Sequence, residues 1–324
     1  MWVDLIILLA SFAALVWSAD RFVFGAAAVA RNFGISPMVI GLTIVAMGSS
    51  APEILVSTTA SLGGQLDTAV GNAIGSNITN VTLVLGITAL LKPLLVSRST
   101  LRRELPVMLL ATLLTGYLLH DNILSFSDGC ILLLLFVLMM GYLIWHSQRQ
   151  HIRSSQNQPG DELVKQFESE VPSQVKSFHA LCWLLLGLII LPLSAHYLVN
   201  SASHIARHFG ISELVIGLTI IAVGTSLPEL AACIVSVIKQ ENDLALGNII
   251  GSNIFNLLVV LGICGTLAPG QVDPAAFARD YWWMLATSGL LAGLSLLTRP
   301  HRLTRAAGGG LVAIFISYQL VLFL

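Results

Sequence analysis

Two glutamates, Glu53 and Glu229, stand inside long apolar runs. Each closes the same kind of motif, Gly48-Ser-Ser-Ala-Pro-Glu53 and Gly224-Thr-Ser-Leu-Pro-Glu229. A charge at the centre of a membrane helix costs about 2.5–3.5 kcal/mol on insertion scales, so two of them need a reason. Of the seventeen acidic residues only these two lie deep in apolar stretches, and no Lys or Arg lies at matching depth. The natural partner is an ion from solution. Pro52 has no N–H to give the carbonyl of Gly48, and Pro228 none for Gly224, so both helices should break there. The freed oxygens would then sit at membrane depth, tolerated only where backbone lines a cavity or packs in protein. On a helix, Ser49 and Ser50 share a face with Glu53, as Thr225 and Ser226 do with Glu229. A plain proline kink with Ser/Thr packing would explain either motif taken alone.

Two further stripes, Asn72, Ser76 and Asn80, then Asn248, Ser252 and Asn256, repeat at a spacing of four. Amide, hydroxyl, carboxylate and freed carbonyl oxygens together form an all-oxygen site. Such a site suits hard cations such as Na⁺ or Ca²⁺ and does not suit Zn²⁺ or Cu. Two carboxylates balance one Ca²⁺, or most of the charge of a few Na⁺ ions. Gly71-x-x-x-Gly75 and Gly247-x-x-x-Gly251 predict close helix packing beside the site. Cys130, Cys182, Cys233 and Cys264 lie far apart in apolar stretches and read as packed free thiols. No resident metal or cofactor is expected.

The elements that must position these residues are membrane helices. Among 324 residues, 56% are hydrophobic and only 10% charged, with a mean hydropathy of +0.85. A soluble chain carries roughly 25% charged residues. So much apolar surface must be covered by lipid, which excludes a disordered chain, a nucleic-acid binder and a secreted disulfide scaffold. Ten segments are apolar and long enough to span: 3–19, 37–61, 67–90, 105–120, 128–146, 178–199, 212–238, 243–267, 280–298 and 306–323. The first lacks a basic leader, beginning Met1-Trp2-Val3-Asp4, and is expected to remain as a span. Residues 147–177 form the one long polar stretch, a linker between a first half (1–146, motif 33–86) and a second (178–324, motif 209–262). The other loops are short, which leaves little room for a catalytic domain. The chain is not expected to be an enzyme.

An offset of 176 aligns Phe33–Glu53 with Phe209–Glu229 at fifteen of 21 positions, and Gly71–Asn80 with Gly247–Asn256. Chance apolar similarity does not preserve Gly, Pro, Glu, Ser and Asn at one fixed offset, so the halves are a duplication. Five spans per half is an odd number, so the second half is expected to enter the membrane inverted. Inverted repeats are a transporter arrangement, with the site at the midplane between halves. By alternate loops, fourteen of the Lys and Arg residues fall on one side of the membrane, and only Arg207 and Arg279 on the other. The positive-inside rule then puts the linker in the cytoplasm and both termini outside.

These paired motifs, Gly48–Glu53 with Gly71-Asn-x-x-Gly-Ser-Asn77 and their copies Gly224–Glu229 and Gly247-Asn-x-x-Gly-Ser-Asn253, resemble the two alpha-repeats of the cation/Ca²⁺ exchanger superfamily. The likeness is greatest to short bacterial sodium/calcium exchanger-like inner-membrane proteins, and it covers the whole chain. It implies an all-α polytopic fold of ten helices in two inverted five-helix repeats, with helices two and seven broken and helices one and six sliding. It implies Ca²⁺ ligands at Ser49, Glu53, Thr225 and Glu229. It implies Na⁺ sites at Ser50, Glu53, Ser76, Ser226, Glu229, Ser252 and the carbonyls of Ala46 and Ala222, with Asn72, Asn80, Asn248 and Asn256 lining the cavity. Two departures stand out. Ser49 replaces the family's usual Thr, and Asn256 stands where some relatives, especially potassium-dependent ones, carry Asp.

The function expected is a secondary antiporter of the inner membrane exchanging Na⁺ for Ca²⁺ by alternating access. Its partners are these ions and the surrounding lipid, with no obligate protein partner. Ca²⁺/H⁺ exchange through protonation of Glu53 and Glu229 is the alternative, followed by a cation channel. Against the channel, no ring of repeated filter segments is present.

Overall fold

A computed structural model describes residues 2–33, 35–98, 100–157, 176–210, 222–297 and 301–323. Within those limits helices occupy all ten expected segments, although 212–238 is described only from residue 222. The helices are α1 (Trp2–Asn32), α2 (Pro37–Ser49), α3 (Ala51–Leu62), α4 (Leu66–Leu91), α5 (Leu105–Leu119), α6 (Phe126–Asn157), α7 (Ser177–His208), α8 (Ala222–Thr225), α9 (Leu227–Ile238), α10 (Asn242–Leu267), α11 (Trp282–Leu297) and α12 (Arg305–Phe323). Among the described residues, five helices are each long and apolar enough to cross a membrane, namely α1, α4, α7, α10 and α12 through Leu322. The pair α2–α3 passes the same length and hydropathy test when its two helices are taken together, with a bend of 48° between them. Residues 147–157 of the polar stretch continue α6 as helix, and the rest of that stretch through 175 lies outside the described residues.

The 176-residue offset reappears in the elements. Both α4 and α10 contain a π-helical turn, Asn80–Val84 and Asn256–Val260, and a second related pair, Thr100–Glu104 and Ala276–Tyr281, precedes α5 and α11. The repeat-related α1 and α7 run antiparallel in close contact. Asp4 meets His204 at 3.3 Å, and a Cβ on Gly25 would lie 2.5 Å from the Leu184 nitrogen. Four two-residue strands tie the halves together. Strand β1 (Leu94–Leu95) pairs antiparallel with β4 (Arg302–Leu303), and β2 (Ile123–Leu124) pairs with β3 (Gly270–Gln271). At the α9–α10 turn, Lys239 reaches Asp20 at 2.7 Å and Glu241 reaches Arg31 at 2.6 Å, anchoring α1.

The distribution of polarity is inside-out relative to a soluble protein. Trp2, Ile6, Phe12, Leu55, Leu134, Val137 and Ile189 are exposed, while Ser49, Glu53, Asn80, Glu229, Ser252 and Asn256 are fully buried. Lipid covers the first set, and the helices α2–α4 and α8–α10 enclose the second. The cysteines are free, as expected, but packing is not uniform. Cys233 and Cys264 are buried, Cys182 is half-buried, and Cys130 is exposed on the apolar outer face of α6.

Candidate cation site

The broken helices form as the prolines require. Pro52 and Pro228 each occupy the first turn of a new helix, where a missing N–H costs nothing. The residue at each break leaves helical geometry, Ser50 at φ −83°, ψ 9° and Ser226 at φ −89°, ψ 7°. Glu53 and Glu229 therefore sit in the first turns of α3 and α9. There the unsatisfied N–H groups and the helix dipole favour negative charge. The Ala46 carbonyl, one expected ligand, accepts the Ser50 N–H at 3.0 Å and lies 3.4 Å from the Ser49 hydroxyl, a second donor.

The two halves interlock around these carboxylates. Ser49 Oγ donates to Asn248 Oδ1 at 3.0 Å and lies 3.5 Å from Ser252 Oγ, both on the opposite half. Ser50 Oγ donates to Glu229 Oε1 at 3.0 Å. Glu53 and Glu229 lie within electrostatic reach of each other. Ser76 and Ser226 are buried alongside, and Thr225 is half-buried at the end of α8. Asn72 is half-buried and spends its amide N–H groups on Ser57 Oγ (2.9 Å) and the Glu53 carbonyl (3.4 Å). Asn248 makes the related contact to Cys233 Sγ at 3.7 Å, so a thiol in the second half stands where the first has a hydroxyl. Ala222 opens α8, and its side chain lies outside the described residues.

Six buried oxygens in this region have no hydrogen-bond partner among the described residues: both of Glu53, Oε2 of Glu229, Oδ1 of Asn80 and of Asn256, and Oγ of Ser226. Buried polar atoms are ordinarily satisfied, and among the described residues no cationic side chain pairs with either glutamate. The donor set is hard, acceptor-rich and contains two carboxyl groups. A partly dehydrated Na⁺ or Ca²⁺ satisfies such a set directly. The π-helical turns beginning at Asn80 and Asn256 add to the pattern, since these distortions recur at functional sites.

Glycine packing brings the helices this close. A Cβ on Gly247 would lie 2.6 Å from the Met38 carbonyl oxygen, and one on Gly251 2.6 Å from that of Leu42. Gly41 answers from α2, where a Cβ would lie 2.7 Å from the Leu244 carbonyl oxygen. A Cβ on Gly71 or Gly75 meets nothing within 4 Å among the described residues, so the close packing expected of Gly71-x-x-x-Gly75 is not seen there. Residues 213–221, which stand at the repeat offset from α2, lie outside the described residues. Asn77 and Asn253 were not expected at the site. Both are buried between the halves, and Asn77 Nδ2 donates to the Asn253 carbonyl at 3.1 Å. Their signal was present in the sequence, since each completes the repeated Gly-Ser-Asn.

A family model described as "Sodium/calcium exchanger protein" matches residues 3–145 and 179–324. The chain belongs to the sodium/calcium exchanger family. Among its relatives is a candidate antiporter, CaxA, of Alkalimonas amylolytica, 51% identical over 324 residues and spanning 100% of this chain and 99% of that one. The inner membrane protein YrbG of Escherichia coli strain K12 is 46% identical over 286 residues, covering 88% of this exchanger-family chain and 86% of its own. The solved structure of the sodium-calcium exchanger NCX_Mj soaked with zero Na⁺ and Ca²⁺ superposes with a TM-score of 0.82. It is 29% identical and covers 98% of both chains. The helical membrane fold is thus that of an exchanger.

Proposed function

We propose that this chain is a secondary antiporter that exchanges Na⁺ for Ca²⁺ by alternating access at one midplane site. The observation that carries the reading is the pair Glu53 and Glu229. Repeat-related and fully buried, they stand among oxygens that no donor among the described residues satisfies. Ca²⁺ is held by Ser49, Glu53, Thr225 and Glu229. Na⁺ takes Glu53 and Glu229 with Ser50, Ser76, Ser226, Ser252 and the carbonyls of Ala46 and Ala222. Asn72, Asn80, Asn248 and Asn256 line the cavity. Ten spans in two inverted halves supply the scaffold, a reading supported by the antiparallel packing of α1 on α7. Similarity to a sodium-calcium exchanger supports Na⁺ as the coupling ion.

Exchange follows from the charge of the site. A carrier without cations would have to change state with two uncompensated carboxylates in a low-dielectric interior, which is strongly disfavoured. Loaded states cross, and unloaded ones do not. In proteoliposomes, ⁴⁵Ca²⁺ uptake should depend on Na⁺ inside and fall to background when Na⁺ is replaced by K⁺ at fixed pH. Uptake driven equally well by an imposed H⁺ gradient without Na⁺ would replace this reading with Ca²⁺/H⁺ exchange. Uptake requiring no counter-ion would replace it with a channel.

Orientation is separately testable. The fourteen-to-two distribution of Lys and Arg puts both termini in the periplasm and the polar linker in the cytoplasm. A periplasm-active reporter fused after residue 324 should be active, and one inserted at residue 160 silent. The opposite pattern would invert the topology, and activity at both positions would break the span count.

A further inference from the structure

The side-chain amides of Asn80 and Asn256 can present either an oxygen or an NH₂ group to the cavity, with opposite consequences for a cation. Which one they present is decided by a relay of hydrogen bonds outside the cage. Asn77 Nδ2 donates to the Asn253 carbonyl at 3.1 Å and lies 3.6 Å from Met284 Sδ. A carbonyl oxygen and a thioether sulfur have no proton to give, so the nitrogen of Asn77 must face them. Its Oδ1 is thereby turned the other way, where it accepts Asn256 Nδ2 at 3.1 Å. With its nitrogen engaged, Asn256 keeps a buried Oδ1 that no group among the described residues satisfies.

From the other half the methionine contact and the amide–amide bond recur, without a carbonyl partner for Asn253 Nδ2 among the described residues. Asn253 Nδ2 lies 3.8 Å from Met108 Sδ, and Asn253 Oδ1 accepts Asn80 Nδ2 at 3.2 Å. Asn80 Oδ1 is again left buried and unsatisfied. Met108 and Met284, Asn77 and Asn253, and Asn80 and Asn256 are each separated by the 176-residue repeat offset. Both methionines are fully buried and cannot exchange their contact for one with water. A flipped Asn256 would set two acceptor oxygens against each other at the Asn77 contact and aim N–H groups at the cage.

We propose that Asn77 and Asn253 are positioning residues of the cation site, holding the Asn256 and Asn80 amides oxygen-inward across the interface between the halves. The proposal rests on the exchange reading, in which these oxygens face a bound cation. It assigns each half the task of polarising a ligand carried by the other.

The test is a set of double-mutant cycles read by Ca²⁺ titration calorimetry on the purified full chain. Asn77→Leu should weaken Ca²⁺ binding about tenfold, the usual size for a misoriented buried polar group. In an Asn256→Asp background both terminal atoms are oxygen and orientation is immaterial, so the same substitution should cost less than about twofold. In an Asn80→Asp background the full loss should persist, which separates orientation from the added charge. Asn253→Leu should show the reverse pairing, suppressed by Asn80→Asp and not by Asn256→Asp. Should the leucine variants fail to insert, Met284→Leu keeps the shape and removes one acceptor. It should cost about threefold in the parent and nothing in Asn256→Asp. Equal losses in every background would mean that Asn77 and Asn253 only pack, and would overturn the proposal, as would no loss in the parent. A parent that binds no Ca²⁺ would instead overturn the exchange reading.

Discussion

Glu53→Gln and Glu229→Gln each reduce Ca²⁺ exchange by about a hundredfold or more, while the protein still inserts and purifies as a single species. Gln keeps the shape and one oxygen but removes the charge that offsets dehydration of a divalent ion. Breaking a buried charge pair costs about 3–5 kcal/mol, here counted between carboxylate and cation. In Glu229→Gln the Ser50 hydroxyl, 3.0 Å from Oε1, retains the remaining oxygen. The new NH₂ group then takes the place of Oε2 and points at the ion. Ser49→Ala is milder, a loss of about tenfold or less, because it removes a neutral ligand and one hydrogen bond to Asn248. Thermal melts supply a readout besides flux. Saturating Ca²⁺ raises the parent's melting temperature through linkage, and it leaves both Gln variants unmoved. Near-parental ⁴⁵Ca²⁺ flux in either Gln variant would defeat the two-carboxylate site.

Gly247→Val and Gly251→Val destabilise the fold and abolish exchange together. Added side-chain volume in a packed interior costs about 1–3 kcal/mol and sometimes more. Here the obstacle is backbone. The Met38 and Leu42 carbonyl oxygens lie 2.6 Å from the new Cβ positions, and Ala46 Cβ is also 2.6 Å from the one on Gly251. Relief requires α2 to move away from α10. That motion separates Ser49 from Asn248 and Ser252, which those two helices bring to 3.0 and 3.5 Å. Gly310→Val is the control, since a Cβ there meets nothing within 4 Å. Melting curves of detergent-purified protein decide the matter. If both variants melt with the parent, glycine packing does not set the distance between the half-sites.

The amino-acid sequence by itself determined the membrane class, the duplication and the two glutamates that stand at the candidate site. Each follows from a cost that is local to the chain. Apolar runs of span length have no stable place in water, and a carboxylate within one is retained only for a purpose. Pro52 and Pro228 specify a break without reference to any other helix, since each lacks an N–H wherever it is placed. The serines at the breaks were legible for the same reason, lying three and four residues before each glutamate.

Tertiary structure decided how the halves meet. Ser49 pairs with Asn248 and Ser50 with Glu229, contacts across 199 and 179 residues that no periodicity reports. Cys233 is a packed free thiol, as its apolar setting predicts, yet it also accepts the Asn248 amide where Ser57 accepts that of Asn72. Asn77 and Asn253 carry no role that spacing alone reveals, because their bonds are to residues of the opposite half. Their effect is on the orientation of a neighbour's amide, and that orientation depends on which acceptor stands behind them. Composition and spacing can name a ligand. Only the packing of one half against the other fixes which of its atoms faces the ion, because an amide has two nearly equivalent ends and the sequence specifies neither.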